Sequence, residues 1–199
     1  MAKSILYWHP WIYKIGLLLY HGRYLSKRYE YISRQIGKNK VVLEPGCGPG
    51  ILAKYLNKSC KYIGFDIDPM FVKYAKKKGL NVYKGDALSK KSYKRADAIV
   101  MSDFFHHIGR KDEKKVLKLC NQYAKKIIIC EQPAPEIYKR IKLFVWIFNK
   151  LDQDKKGKVN LAVQRTKKEL LTDMKKGFGI IKKRNTIKKI GKDYIATYG

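Results

Sequence analysis

At 199 residues the chain is long enough for one domain with a real core, and its 45% hydrophobic content is ordinary for a globular protein. Its charge is not ordinary: 45 Lys+Arg stand against 16 Asp+Glu, a net +29. That imbalance excludes surface ion-pair networks, which need acids in similar number. It fits either attraction to a polyanion such as RNA, DNA or an anionic membrane face, or a source whose proteins are all lysine-rich.

The N-terminus is apolar but interrupted by Pro10, Lys14 and His21, and the charge-free stretch around Ile15–Tyr20 is too short to span a bilayer. No small-residue cleavage site follows it. The expectation is therefore a cytoplasmic chain with no transmembrane segment and no signal peptide, touching an anionic membrane only peripherally. Cys47, Cys60, Cys120 and Cys130 form no C-x-x-C pair and no zinc-like spacing, so they are expected as free thiols in a reducing compartment, with no metal site.

His9-Pro10 opens a helix, with proline where its missing N–H does no harm. Trp11, Ile15, Leu18, Gly22, Leu25, Tyr29, Ile32 and Ile36 then recur at helical period, with Lys14, Arg23, Lys27, Arg28 and Arg34 between them. The spacing predicts one amphipathic helix of about seven turns, residues 1–37 in all, packed by its apolar stripe on a domain of residues 38–199. The aromatic start, Tyr7-Trp8-His9-Pro10-Trp11, has a second reading, as a membrane-lying segment or a cap on a substrate pocket.

Val41-Val42-Leu43-Glu44 is a short buried-strand candidate, followed by glycines at 46, 48 and 50 and by Ile51–Leu56, which reads as a helix. Glycines let the chain reverse sharply and bring backbone close to a ligand, and a helix N-terminus would aim N–H groups at it. No Lys-Ser or Lys-Thr follows, which excludes a phosphate loop. Ile51 stands where a dinucleotide fingerprint needs its third glycine.

Lys61–Asp66 reads as a second strand ending in an acid, and the helix after it has Asp68 as N-cap, Pro69 first and Gly79 as stop. Leu80–Tyr83, Ala98–Met101 and Ile127–Cys130 are further strands, with Val116, Leu117, Cys120, Tyr123 and Ala124 marking a helix between the last two. Strand and helix alternate, so the architecture is α/β with a mainly parallel sheet. Beyond it, Pro135–Leu151 reads as an aromatic and basic helix, Asp152–Asn160 as a lysine-rich loop, and Thr166 with Glu169 as a capping box. Phe178–Arg184 and Asp193–Tyr198 close the chain as two strands.

With these elements in order, Glu44-x-Gly46-x-Gly48-x-Gly50 resembles the first motif of the class I S-adenosylmethionine (SAM) dependent methyltransferases. The resemblance covers residues 38–199 and implies a Rossmann-like, doubly wound, mainly parallel seven-stranded sheet. Asp66, 22 residues after Glu44, stands where the family holds the ribose hydroxyls, close to the ~20 residues expected of a nucleoside crevice. Ile67 corresponds to the side chain against the adenine, and Gly85-Asp86-Ala87 to the loop whose acid meets the adenine amino group. Asp97–Ile108 is similar to the fourth-strand signature of the small-molecule branch and contributes Ser102. The resemblance implies SAM as cofactor, with its carboxylate at the N–H groups around Cys47–Gly50 and its ammonium at Glu44. Each acid also has a plain role open to it: Glu44 neutralising lysines, Asp66 as a solvated strand-end acid, Asp86 as a turn former.

His106, His107 and Asp103, just past the fourth strand, are the candidates for taking a proton from an acceptor, with Glu131 a weaker one. Ser102-Asp103-Phe104-Phe105 replaces the Asn/Asp-Pro-Pro-Tyr/Phe of amino-methylating relatives, and no Pro-Cys pair marks a pyrimidine C5 enzyme. The expected activity is methyl transfer to a small acceptor, anionic or lipid-like. An RNA methyltransferase using the basic surface, and a non-catalytic SAM- or RNA-binding protein, are the alternatives.

Overall fold

The computed structural model describes residues 9–134 and 165–199; the helix expected over Pro135–Leu151, the loop over Asp152–Asn160 and the aromatic pair Tyr7-Trp8 lie outside them. Seven strands form one sheet in the order β3-β2-β1-β4-β5-β7-β6. They are β1 (Val41–Pro45), β2 (Lys61–Asp66), β3 (Val82–Lys84), β4 (Ala96–Ser102), β5 (Ala124–Glu131), β6 (Asn185–Ile190) and β7 (Asp193–Tyr198). β1 through β5 run parallel, whereas β7 is antiparallel to both β5 and β6. This is the expected Rossmann-like, mainly parallel architecture.

The central strands are apolar throughout because both faces of the sheet are covered. Successive side chains alternate sides. Leu43, Ile99, Met101, Ile127 and Ile129 pack on one face with Val116, Leu117 and Cys120 of α4 (Arg110–Tyr123) and Leu170 and Met174 of α5 (Lys167–Lys175). Val42, Ala98, Val100, Ile128 and Cys130 pack on the other, against Leu25, Tyr29, Ile32 and Ile36 of α2 (Tyr24–Ile36). α3 (Pro69–Lys77) covers the β2–β3 edge, capped by Asp68 Oδ1 accepting from Met70 N as its sequence predicts. The capping box of α5 also forms, Thr166 Oγ1 accepting from Glu169 N and Glu169 Oε2 from Thr166 N.

Four expectations are corrected. The long N-terminal helix is two helices, α1 (Pro10–His21) and α2, because Gly22 takes φ 54 and ψ −137 and breaks the ladder. Only the second half of its stripe packs: Trp11, Ile15 and Leu18 face outward. Arg28, assigned to the polar face, is fully buried. The helix expected at Ile51–Leu56 is one 3-10 turn, Leu52–Lys54, since the Asn57–Ser59 turn, with Ser59 N donating to Asn57 Oδ1, ends it early. Phe178–Arg184 is not a strand. Gly177 and Gly179 turn the chain and drop Phe178 into the core against Phe105, so β6 starts only at Asn185.

Candidate active site

In open α/β sheets ligands bind beyond the strands' C-terminal ends where strand order reverses. Here that point lies between β1 and β4, and a narrow crevice occupies it. Glu44 from β1, Gly46, Cys47, Gly48 and Pro49 from the turn, and Ser102 and Asp103 from the tip of β4 line it, with Tyr13 and Leu17 of α1 and Tyr29 of α2. The glycine-rich motif and the fourth-strand motif, more than fifty residues apart, are thus brought together.

Glu44 is 4% exposed and its Oε2 accepts from the Tyr62 hydroxyl at 2.6 Å. Burial pushes its carboxyl up to about 8, the Asp66 charge adding to this and the Tyr62 hydrogen bond opposing it. A buried acid facing a crevice with a raised value is set to gain from a cationic ligand. Ser102 Oγ is buried without a hydrogen-bond partner, a second polar group for a ligand to satisfy.

The turn itself is held from within. Cys47 N donates to Phe65 O, Gly50 N to Cys47 O and Gly48 N to Asp66 Oδ2. The short 3-10 turn after it supplies no helix N-terminus, so the expected helix-dipole contribution is absent. Gly46 has φ +65, and a Cβ there would stand 2.5 Å from Phe104 Cδ2. Gly46→Ala combines a left-handed residue with overpacking, so it should destabilise the protein by about 2–4 kcal/mol and abolish cofactor uptake. Thermal unfolding and titration calorimetry read the two effects. Gly50 does not line the crevice; it leaves room for Leu80, whose Cδ1 lies 2.4 Å from where its Cβ would be.

The other predicted residues stand along the same sheet edge, outside the crevice lining. Asp66 ends β2, its Oδ1 accepting from Asp68 N and its Oδ2 from Gly48 N, each at 2.8 Å. Ile67, 54% exposed, is the apolar side chain beside it. Asp86 and Ala87 follow β3, joined to Asp66 through Gly85 N donating to Asp66 O; Asp86 also forms a local turn, Oδ1 accepting from Leu88 N.

Asp103 is tied up differently from what its position suggests. Arg28 grips it with two hydrogen bonds, 3.0 Å from Nη1 to Oδ1 and 2.6 Å from Nη2 to Oδ2. Although burial raises its carboxyl, Arg28 outweighs this and holds it below the usual carboxylate range. A group so paired is a poor proton acceptor, and Asp103 anchors the tip of β4 in a strained conformation, φ 52. The same buried cluster contains Asp193, with His21 Nδ1 3.2 Å from its Oδ2. His21, Asp103 and Asp193 are close enough to suggest a cation site, but the Arg28 guanidinium already bonds both carboxylates.

His106 and His107 occupy the 3-10 turn Phe105–His107, their rings 4.0 Å apart. Burial, then the neighbouring His106, hold His107 well below its ordinary value, so it is neutral at pH 7. His106 is oriented by Glu131, whose Oε2 lies 3.3 Å from Nδ1 while Oε1 accepts from Phe104 N and Phe105 N. Sequence reasoning missed Tyr13, Tyr62, Arg28 and Asp193, and did not foresee the contacts of Glu131 with His106 and the amides of Phe104 and Phe105.

These residues fit SAM. A buried acid suits its ammonium, an unpartnered hydroxyl offers a polar contact, and an acid with an exposed aliphatic neighbour at the next strand suits a nucleoside. Comparison with known proteins agrees. Residues 42–126 match the model of a family described as a methyltransferase domain. The methyltransferase domain of bacterial CtHen1-CN shares the fold, with TM-score 0.67 and 15% identity over 88% of this chain and 97% of that one. An O-methyltransferase family protein from Burkholderia thailandensis gives TM-score 0.69 at 10% identity, over 95% of this chain and 58% of its own. Human N-acetylserotonin methyltransferase in complex with SAM gives 0.62 at 18%, over 92% and 52%. The chain thus spans little more than half the length of the latter two. No curated protein matches it by sequence. From β1 into the start of β5 the chain is thus similar to a methyltransferase domain, and its strand order and fold are those of the solved methyltransferases it resembles.

Proposed function

We propose that the chain methylates an oxygen of a small acceptor, anionic or lipid-like, with His106 as the group that takes the acceptor's proton. One observation supports this: Glu131, fixed by two backbone amides, has Oε2 3.3 Å from His106 Nδ1, a contact that favours the tautomer with its proton on Nδ1. That is the tautomer a general base needs. When bound, SAM supplies an electrophilic methyl group on a positively charged sulfur. Alignment is the larger task, since holding reacting groups in line can contribute ~7–11 kcal/mol. Glu44 is assigned to the cofactor's ammonium, Asp66 to its ribose, Ile67, Asp86 and Ala87 to its adenine, and Ser102 to a polar contact beside Glu44.

The test is labelled SAM with separate lipid, small-metabolite and RNA extracts, followed by variants on the acceptor found. His106→Ala should lower kcat by about 10²–10⁴-fold with cofactor affinity unchanged, and Glu131→Gln should lower it less. Full activity in His106→Ala removes the proton-acceptor role. The net +29 favours a second reading, RNA methylation. Label entering RNA alone, with affinity for RNA falling steeply in salt, would establish that one instead.

A further inference from the structure

We propose that α1 seats the protein on an anionic lipid surface through the outward stripe Trp11, Ile15, Leu18 and Leu19. The four are 53%, 46%, 55% and 80% exposed. Their spacing of i, i+4, i+7 and i+8 puts them on one side of a single helix. The other side of the same helix is in use, with Tyr13 and Leu17 lining the crevice. Exposed apolar side chains contiguous on one surface mark an interaction site, whereas α2, immediately following, buries its stripe.

Charge identifies the occupant. Residues 1–29 contain no acid; the first is Glu30. Lys14 belongs to α1 itself, and Lys192 leans on it with Nζ 4.2 Å from the Tyr20 ring centroid. Arg23 and Lys27 flank the Tyr24 ring at the start of α2, 5.3 Å and 5.7 Å from its centroid. An exposed apolar stripe on an acid-free, cation-bearing segment is what an interfacial helix presents to anionic headgroups. A second copy of a chain carrying +29 would bring like charges together at this face. Nucleic acid would engage the cations and an aromatic face, but it leaves Ile15, Leu18 and Leu19 unexplained. Among the described residues no helix is long and apolar enough to cross the bilayer, so the contact is peripheral. Seating α1 this way leaves the crevice on the opposite side of that helix, one helix away from the lipid; an acceptor drawn from the membrane is a further consequence that rests on the function proposed above.

The test is vesicle flotation without SAM or acceptor, so its result is independent of turnover. The native chain should float with vesicles of phosphatidylglycerol and phosphatidylcholine, weakly with phosphatidylcholine alone, and less as salt rises. Leu18→Glu with Leu19→Glu should reduce partitioning by roughly tenfold or more, with calorimetric SAM uptake unchanged. In a Trp8→Phe, Trp146→Phe background, Trp11 fluorescence should shift to the blue on adding anionic vesicles. The proposal is overturned if the native chain stays unbound, or if the double variant binds as well as the native chain. It is overturned equally by Trp11 being shielded from acrylamide in the free protein, which means the face is already covered, or by a native dimer that the double variant dissolves. Binding to an RNA oligonucleotide in place of vesicles would also overturn it. Strong flotation with methyl transfer only to a soluble metabolite would leave the docking surface standing and remove the membrane acceptor.

Discussion

Arg28→Met is expected to destabilise the fold by about 3–5 kcal/mol in urea unfolding, because it leaves buried carboxylates without their cation. Arg28 has no exposed surface and bonds Asp103, Asp193 and the Tyr29 hydroxyl. Burial works against its charge, yet the Asp103 carboxylate, with Tyr29, outweighs it and holds the guanidinium well above its ordinary value. Adding Asp103→Asn should recover part of the loss, since a neutral amide tolerates the site better than an unpaired charge; the non-additivity measures the pair. The sign with pH is specific. Asp103 is held below its ordinary value, so its contribution is present above about pH 4, where the unfolded carboxyl ionises, and is lost as pH falls through the folded value. In Arg28→Met the same carboxyl loses its main partner, so the gap between variant and native chain should widen as pH rises from about 3 to about 6. A gap that does not change with pH would remove the ion pair as its cause.

The strands and most of the site's acids were legible because their signals are local. Continuous apolar runs covered on both faces gave β1, β4 and β5; Glu44 and Asp66 were visible as strand-end acids, while the roles expected of them, and the place of Ser102, came from the resemblance. Arg28 was misjudged although a cue existed: it lies three residues after Leu25 and four before Ile32, on the same helical face as both. Charge alone assigned it to solvent. Its partners could not have been inferred, since Asp103 and Asp193 are 75 and 165 residues away and meet it only through strand order. Gly22 was read as part of the apolar stripe, when its freedom to leave helical geometry was the informative property. The same holds for Gly179, read inside the Phe178–Arg184 strand, where with Gly177 it turns the chain and shifts the start of β6 toward the C-terminus. The hold of Glu131 on the amides of Phe104 and Phe105 could not be foreseen, because those contacts are made by a turn whose shape no residue pattern specifies.

Glu44→Gln should lower the affinity for SAM, and for its demethylated product, by about 10–100-fold, the worth of a hydrogen bond to a charged group. The native carboxyl, pushed up to about 8 from 4.5 chiefly by burial, is mostly protonated at pH 7 in the free protein. Holding an ammonium requires it to ionise, so binding at pH 7 should release a proton. Calorimetry in buffers of differing ionisation enthalpy detects that release, and affinity should rise from pH 6 to pH 8. Stability of the free protein carries the opposite sign. Between about 4.5 and 8 the folded state keeps a proton that the unfolded chain has lost, so this group's contribution is full below 4.5 and disappears as pH rises through 8. Each unit of the shift corresponds to ~1.4 kcal/mol, so the native chain should lose a few kcal/mol across the window, while Glu44→Gln should show a flatter profile and unfold later at pH 8. Saturating SAM should flatten the native profile as well, because the ammonium supplies the charge that burial withholds. Proton release that is absent in the native chain, or unchanged in Glu44→Gln, would detach Glu44 from the cofactor while leaving the fold assignment intact.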